Sequence, residues 1–214
     1  MKLQNLLKEV ENKAQIDALD QAMGDAFKTL GQEFETNKVE IEQEVNKSNA
    51  SLNEALGVVA VIGFILAFPR LVEIFVKALS KIVTKFKKIV KPGEAKENES
   101  EMASRIIEFT HKWHKLYIKG VKYILKLSGV FDKAGIKGDT AQDKVAEVVY
   151  YVIVAGLAVY SGIGSITAFK QAMAAKGTTG AAGFSLSAFE AAMASVKTGE
   201  VKNFLAKIGL NTVS

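Results

Sequence analysis

Cysteine is absent from this 214-residue chain, which removes any disulfide framework and any thiolate metal site. Only two prolines, Pro69 and Pro92, break it. Proline costs a helix its hydrogen bond, so its scarcity leaves room for long helices. Alternating apolar and polar residues bounded by turn signals, the mark of a half-buried strand, are lacking throughout. Also lacking is the Gly-Lys-Ser/Thr ending of a phosphate loop. "GIGSIT" from Gly162 and "GTTGAAG" from Gly177 follow no predicted strand, so they read as helix packing and as a connection. The opening "MKLQNLLKEVENK" carries charges where a secretory signal needs an unbroken apolar core, so no such signal is expected. Abundant Ala, Lys, Leu, Val and Glu point to an all-α protein of long helices.

Charge is segregated along the chain, although the total is only +5. Residues 1–55 hold 6 Lys against 11 Asp or Glu, residues 77–147 hold 16 Lys or Arg against 9 acids, and 5 Lys against 2 Glu follow from Lys170 onward. An acidic first segment and a basic middle can dock on each other, or the basic part can face lipid or nucleic acid.

Apolar residues are concentrated in two runs. "VVYYVIVAGLAVYSGIGSITAF", residues 148–169, has no charge over 22 residues, and a hydrocarbon core of ~30 Å needs about 20 residues of helix. An apolar helix over 145–170 is therefore expected to be competent to cross a bilayer. Ala158 with Gly162, and Ser161 with Ser165, fall four apart and suggest a helix-packing flank. The second run, "ALGVVAVIGFILAFP" from Ala55, is shorter. It reaches span length only by continuing past Arg70 and Glu73, which can pair with each other, and it should kink at Pro69.

The acidic segment, residues 1–54, is patterned as an amphipathic, coiled-coil-like helix. Leu19, Leu30, Ile41 and Leu52 recur every 11 residues, as do Met23, Phe34, Val45 and Leu56. An 11-residue period implies a straight or slightly right-handed coiled coil. After it, residues 55–91 read as the apolar helix running into a basic amphipathic one, and residues 92–100 as a polar linker. A second basic amphipathic helix is expected over 101–133. There Lys112, Lys115, Lys119, Lys122 and Lys126 share one arc, opposite Ile106, Phe109, Trp113, Leu116 and Tyr117. Lysine stems and Trp113 so arranged suit a membrane interface, and the lysines alone suit nucleic acid. Residues 177–214 read as small-residue-rich C-terminal helices.

Both histidines lie in "EFTHKWH". Glu108, His111 and His114, three apart, could offer ligands from one helix turn only, so they are read as interfacial polar residues and no metal site is assigned. No nucleophile and base are brought together by spacing. A catalytic role, a cofactor and a small-molecule substrate are accordingly not expected.

The first nine residues, "MKLQNLLKE", show Met-Lys, four residues, an aliphatic residue, any residue and Glu. This resembles the leader of internal head (virion) proteins of tailed phages, and "LNEA" at residues 52–55 is similar to the site where a head protease cuts after Glu. The resemblance implies a phage virion component that is processed near its N-terminus.

Together these readings lead to one expectation. The chain is a non-catalytic phage or viral structural protein of membrane or virion, a homo-oligomer that assembles through helices and engages or spans an anionic lipid bilayer, an oligomeric conduit being one form of this. The alternative is a soluble helical virion or scaffold component, with apolar helices buried between subunits and a basic face toward nucleic acid.

Overall fold

The computed structural model describes residues 57–89, 98–127, 129–180 and 184–210, with Ala95 and individual positions between 14 and 47. Every described position between 14 and 47 is helical, and no strand occurs among the described residues. The named helices are α1 (Val58–Leu66), α2 (Pro69–Ile89), α3 (Glu99–Leu127), α4 (Val130–Lys133), α5 (Asp139–Ser161), α6 (Thr167–Gly180), α7 (Leu186–Ser195) and α8 (Gly199–Lys207).

Local chemistry explains most of the boundaries. α1 and α2 meet at 102°, the break falling at Ala67 and Phe68. Phe68 precedes Pro69, whose ring disfavours helical geometry in the residue before it, whereas proline itself fits the first position of a helix. The expected kink is therefore a full corner, and residues 58–76 do not form a straight rod. α3 starts inside the expected linker because Asn98 caps it. The Glu101 amide donates to Asn98 Oδ1 at 3.1 Å, and Asn98 Nδ2 returns a bond to Glu101 Oε2 at 3.1 Å. The basic helix expected over 101–133 is interrupted at Gly129, in left-handed geometry with φ of 70°, and resumes as the single turn α4.

The apolar helix also differs from its expected bounds of 145–170. α5 begins at Asp139 and stops at Ser161, because Gly162 takes a left-handed φ of 99°. Its amide donates to Val159 O at 3.0 Å and the Ile163 amide to Ala158 O at 2.9 Å, the paired bonds of a glycine-terminated helix end. Residues 163–166 are non-helical, and α6 starts afresh at Thr167. α5 thus keeps only residues 148–161 of the run, and the rest of its 23 residues precede the run and carry its charges.

α5 is the axis of the molecule. It packs on α3, α7, α1 and α8, while α6 packs on α3 and α8 on α1. Of its apolar window 72% is buried within the chain, and Val145, Val149, Val152, Ala155 and Ala158 are each 2% exposed or less. Gly156 allows α8 to come close, since a Cβ there would lie 2.5 Å from Leu205 Cδ2. An aromatic train closes one side. Tyr150 and Tyr151 on α5 meet with ring centres 5.2 Å apart, Tyr151 meets Phe184 at 5.5 Å, and Phe169 meets Phe189 at 4.2 Å. Among the described residues the large apolar side chains left exposed are Val39, Val59 and Tyr123.

Candidate anion-facing surface

Two helices carry the basic charge, and the structure treats them differently. On α2 two cations, Arg70 and Lys77, meet acids from the N-terminal segment. Glu44 accepts from the Arg70 amide through both carboxylate oxygens, at 3.1 and 3.2 Å, and so caps the first turn of α2 at its positive end. The Arg70 guanidinium reaches Glu40 Oε2 at 3.1 Å, Asn37 Oδ1 at 3.0 Å and Glu73 Oε2 at 2.5 Å. Lys77 lies 3.2 Å from Glu33, and Lys81 donates to Thr29 Oγ1 at 3.0 Å.

Partner numbers fall along the acidic segment as they rise along α2, so the two helices run antiparallel. Asn37, between them, is nearly buried, and its amide nitrogen bonds Glu33 O at 2.7 Å. The hydrogen bond to Glu73 holds the Arg70 pKa above its ordinary value, and the same bond lowers that of Glu73. The pairing expected from helical spacing, Arg70 with Glu73, is present at 2.5 Å, and Lys77, four residues on, lies 3.5 Å from Glu73. The caps and cross-helix contacts have no local spacing rule, so the charge segregation was the only signal for Glu40 and Glu44, and Asn37 had none. The 11-residue rows, from Leu19 to Leu52 and from Met23 to Leu56, lie outside the described residues.

On α3 three of the lysines face solvent. Lys115, Lys119 and Lys126 are exposed, none has an ion-pair partner among the described residues, and at 100° per residue they fall within an arc of about 40°. They lie along 12 residues, or about 16 Å of helix. Tyr123, also on α3, is 57% exposed. Lys122 does not join them. It sits at the edge of the arc nearest buried Val121 and Leu125 and turns toward α5, reaching Asp143 Oδ1 at 2.7 Å and Asp139 Oδ1 at 3.4 Å. The hydrogen bond to Asp143 is the main cause of its raised pKa. The side chains of Lys112 and Trp113 lie outside the described residues.

The opposite side of α3 is turned inward. Ile106, Tyr117, Val121 and Leu125 are 3% exposed or less, and α3 packs on α5 and α6. His114 belongs to this inner side. Its ring stands edge-on to Tyr150 at 5.0 Å and its Nε2 lies 3.8 Å from Glu147 Oε1, while Glu108 is exposed and the His111 side chain lies outside the described residues. Burial pushes the Tyr117 hydroxyl pKa upward. Among the described residues no group of three His, Asp or Glu is placed to hold a metal.

The four expected packing residues do not share one helix flank. Ala158 and Ser161 are fully buried on α5, and Ser161 Oγ donates to Ala158 O at 2.7 Å. Gly162 is the helix stop, and Ser165 is exposed in the loop beyond. The spacing of four presumed a helix running to residue 170, whereas α5 ends at Ser161. The glycine that does permit close approach is Gly156, six residues before Gly162, and its signal was its place in the middle of the apolar run.

Comparison with protein-family models, with curated proteins and with solved structures gave no match.

Proposed function

We propose that this protein is a non-catalytic helical structural protein that assembles with further copies of itself and engages an anionic bilayer, and that it belongs with the internal virion proteins its N-terminus resembles. The observation that carries the membrane contact is the row Lys115, Lys119 and Lys126 on α3, exposed and without ion-pair partners among the described residues. Each such lysine contributes ~1 kcal/mol near an anionic leaflet. Because the apolar side of α3 packs on α5 and α6, contact in this fold is electrostatic and peripheral. α5 is the described helix with the length and hydropathy to cross, and to do so it must leave its partners in the bundle.

The test is flotation with mixed phosphatidylcholine–phosphatidylserine vesicles. The protein should float at low salt and wash off as salt rises. Replacing Lys115, Lys119 and Lys126 by Gln should weaken binding by about two orders of magnitude, at ~1 kcal/mol each. Failure of the wild type to float would remove this reading.

One observation favours the second reading, a water-soluble virion component with its basic face on nucleic acid. The apolar helix is covered within its own chain, and few large apolar side chains are exposed among the described residues. Under that reading duplex DNA binds with a steep salt dependence and vesicles do not.

A further inference from the structure

From the pairing of the acidic segment with α2, we infer that the cationic edge of α2 is a second surface for anionic lipid headgroups, and that the chain's own N-terminal segment covers it. The inference rests on the proposed bilayer contact and adds its control. The covered groups are those an anionic headgroup would use. A helix N-terminus with an uncommitted amide is taken by the Glu44 carboxylate, a guanidinium is shared between Glu40 and Asn37, and the ammonium of Lys77 is held by Glu33. A lipid phosphate or carboxylate has the same acceptor chemistry as these three glutamates. It can therefore replace them one for one, without leaving Arg70 or the α2 amide unpaired.

The grip is also of a kind that a charged surface can compete away. Glu40 is 65% exposed, Lys77 is 46% exposed and Arg70 is 33% exposed, so the pairs are solvated and salt-sensitive. α3 differs because its outward lysines have no acidic cover among the described residues. The first encounter with a bilayer accordingly falls to α3. The α2 edge joins once the acidic segment is displaced, and because the two edges then bind together, the second contact multiplies the first.

The experiment uses the full chain and the same mixed phosphatidylcholine–phosphatidylserine vesicles. The variant Glu33→Gln with Glu40→Gln and Glu44→Gln keeps side-chain shape but releases the edge. Its control, Asp17→Asn with Glu35→Gln and Asp132→Asn, removes the same charge from exposed sites that make no such contact. The release variant should bind vesicles about tenfold more tightly than the control, on the scale of two further basic contacts partly realised. Adding Arg70→Gln and Lys77→Gln to it should return affinity to the control level.

Equal affinity of release variant and control overturns the inference and leaves the α3 contact standing. So does a gain that survives loss of Arg70 and Lys77. A gain toward duplex DNA with none toward vesicles overturns the lipid assignment. If neither wild type nor release variant floats, the inference and the bilayer reading fall together. Circular dichroism of each variant confirms that helix content is retained; loss of binding with loss of helix in the release variant also counts against a cover that can be removed.

Discussion

Gly162 shows how one residue can carry two opposite readings. Spacing alone places it on a packing flank inside a helix, whereas its φ of 99° makes it the residue that ends α5. Glycine takes left-handed geometry at no steric cost, whereas an L-residue such as alanine pays roughly 1–2 kcal/mol there. Gly162→Ala should therefore lower unfolding free energy by about 1–2 kcal/mol in urea titration. An alanine that stabilised the protein instead would return Gly162 to a helix interior. The order Gly162 then Ile163, a glycine followed by an apolar residue that folds back, was the available signal. Ile163 is fully buried, as that motif requires.

Among the helices, α5 is where composition and environment part company. A helix apolar on all sides is suited equally to lipid and to a protein interior. Here Val154 is 1% exposed and the neighbours of α5 are α1, α3, α7 and α8. Val154→Arg would bury a cation in the apolar core, a defect of about 3–5 kcal/mol or more when uncompensated. The variant should lose its cooperative thermal transition in aqueous buffer. A Val154→Arg protein that kept its melting temperature in water would mean that α5 does not lie in this bundle.

At the scale of the whole molecule, charge segregation becomes tertiary structure. The acidic segment lies antiparallel to α2 through Glu44, Glu40 and Glu33 against Arg70 and Lys77. Exposed pairs of this kind are worth ~0.2–1 kcal/mol, so a double-mutant cycle of Lys77→Gln and Glu33→Gln should show a coupling in that range that shrinks in high salt. No coupling would mean that the pair is incidental to docking. The pH dependence has a definite sign. The pKa of Glu73 is lowered by Arg70 in the folded chain, so its contribution is present above the free carboxylate value of ~4.3 and is lost as pH falls through the lower folded value. Hydrogen exchange at the start of α2 should accelerate below about pH 4 before the bundle core does. Simultaneous exposure of both would mean that the docked edge and the core open as one unit.

What the amino-acid order determined by itself was the helical class, the charge division between residues 1–55 and 77–147, the outward lysines of α3 and the existence of one long apolar helix. These follow from composition, from the period of 3.6 residues and from spacings of three and four, which are local properties. Only the tertiary structure decided where α5 stops, that its apolar surface is spent on α1, α3, α7 and α8, and that Lys122 is drawn off the lysine row by Asp143. It also decided that Arg70 is held by Asn37, Glu40 and Glu44, residues at least 26 positions away. The physical reason is the same in each case. Hydrophobicity is non-directional and charge acts across space, so the sequence specifies which surfaces seek cover but not which partner supplies it, and that is settled only when the helices meet.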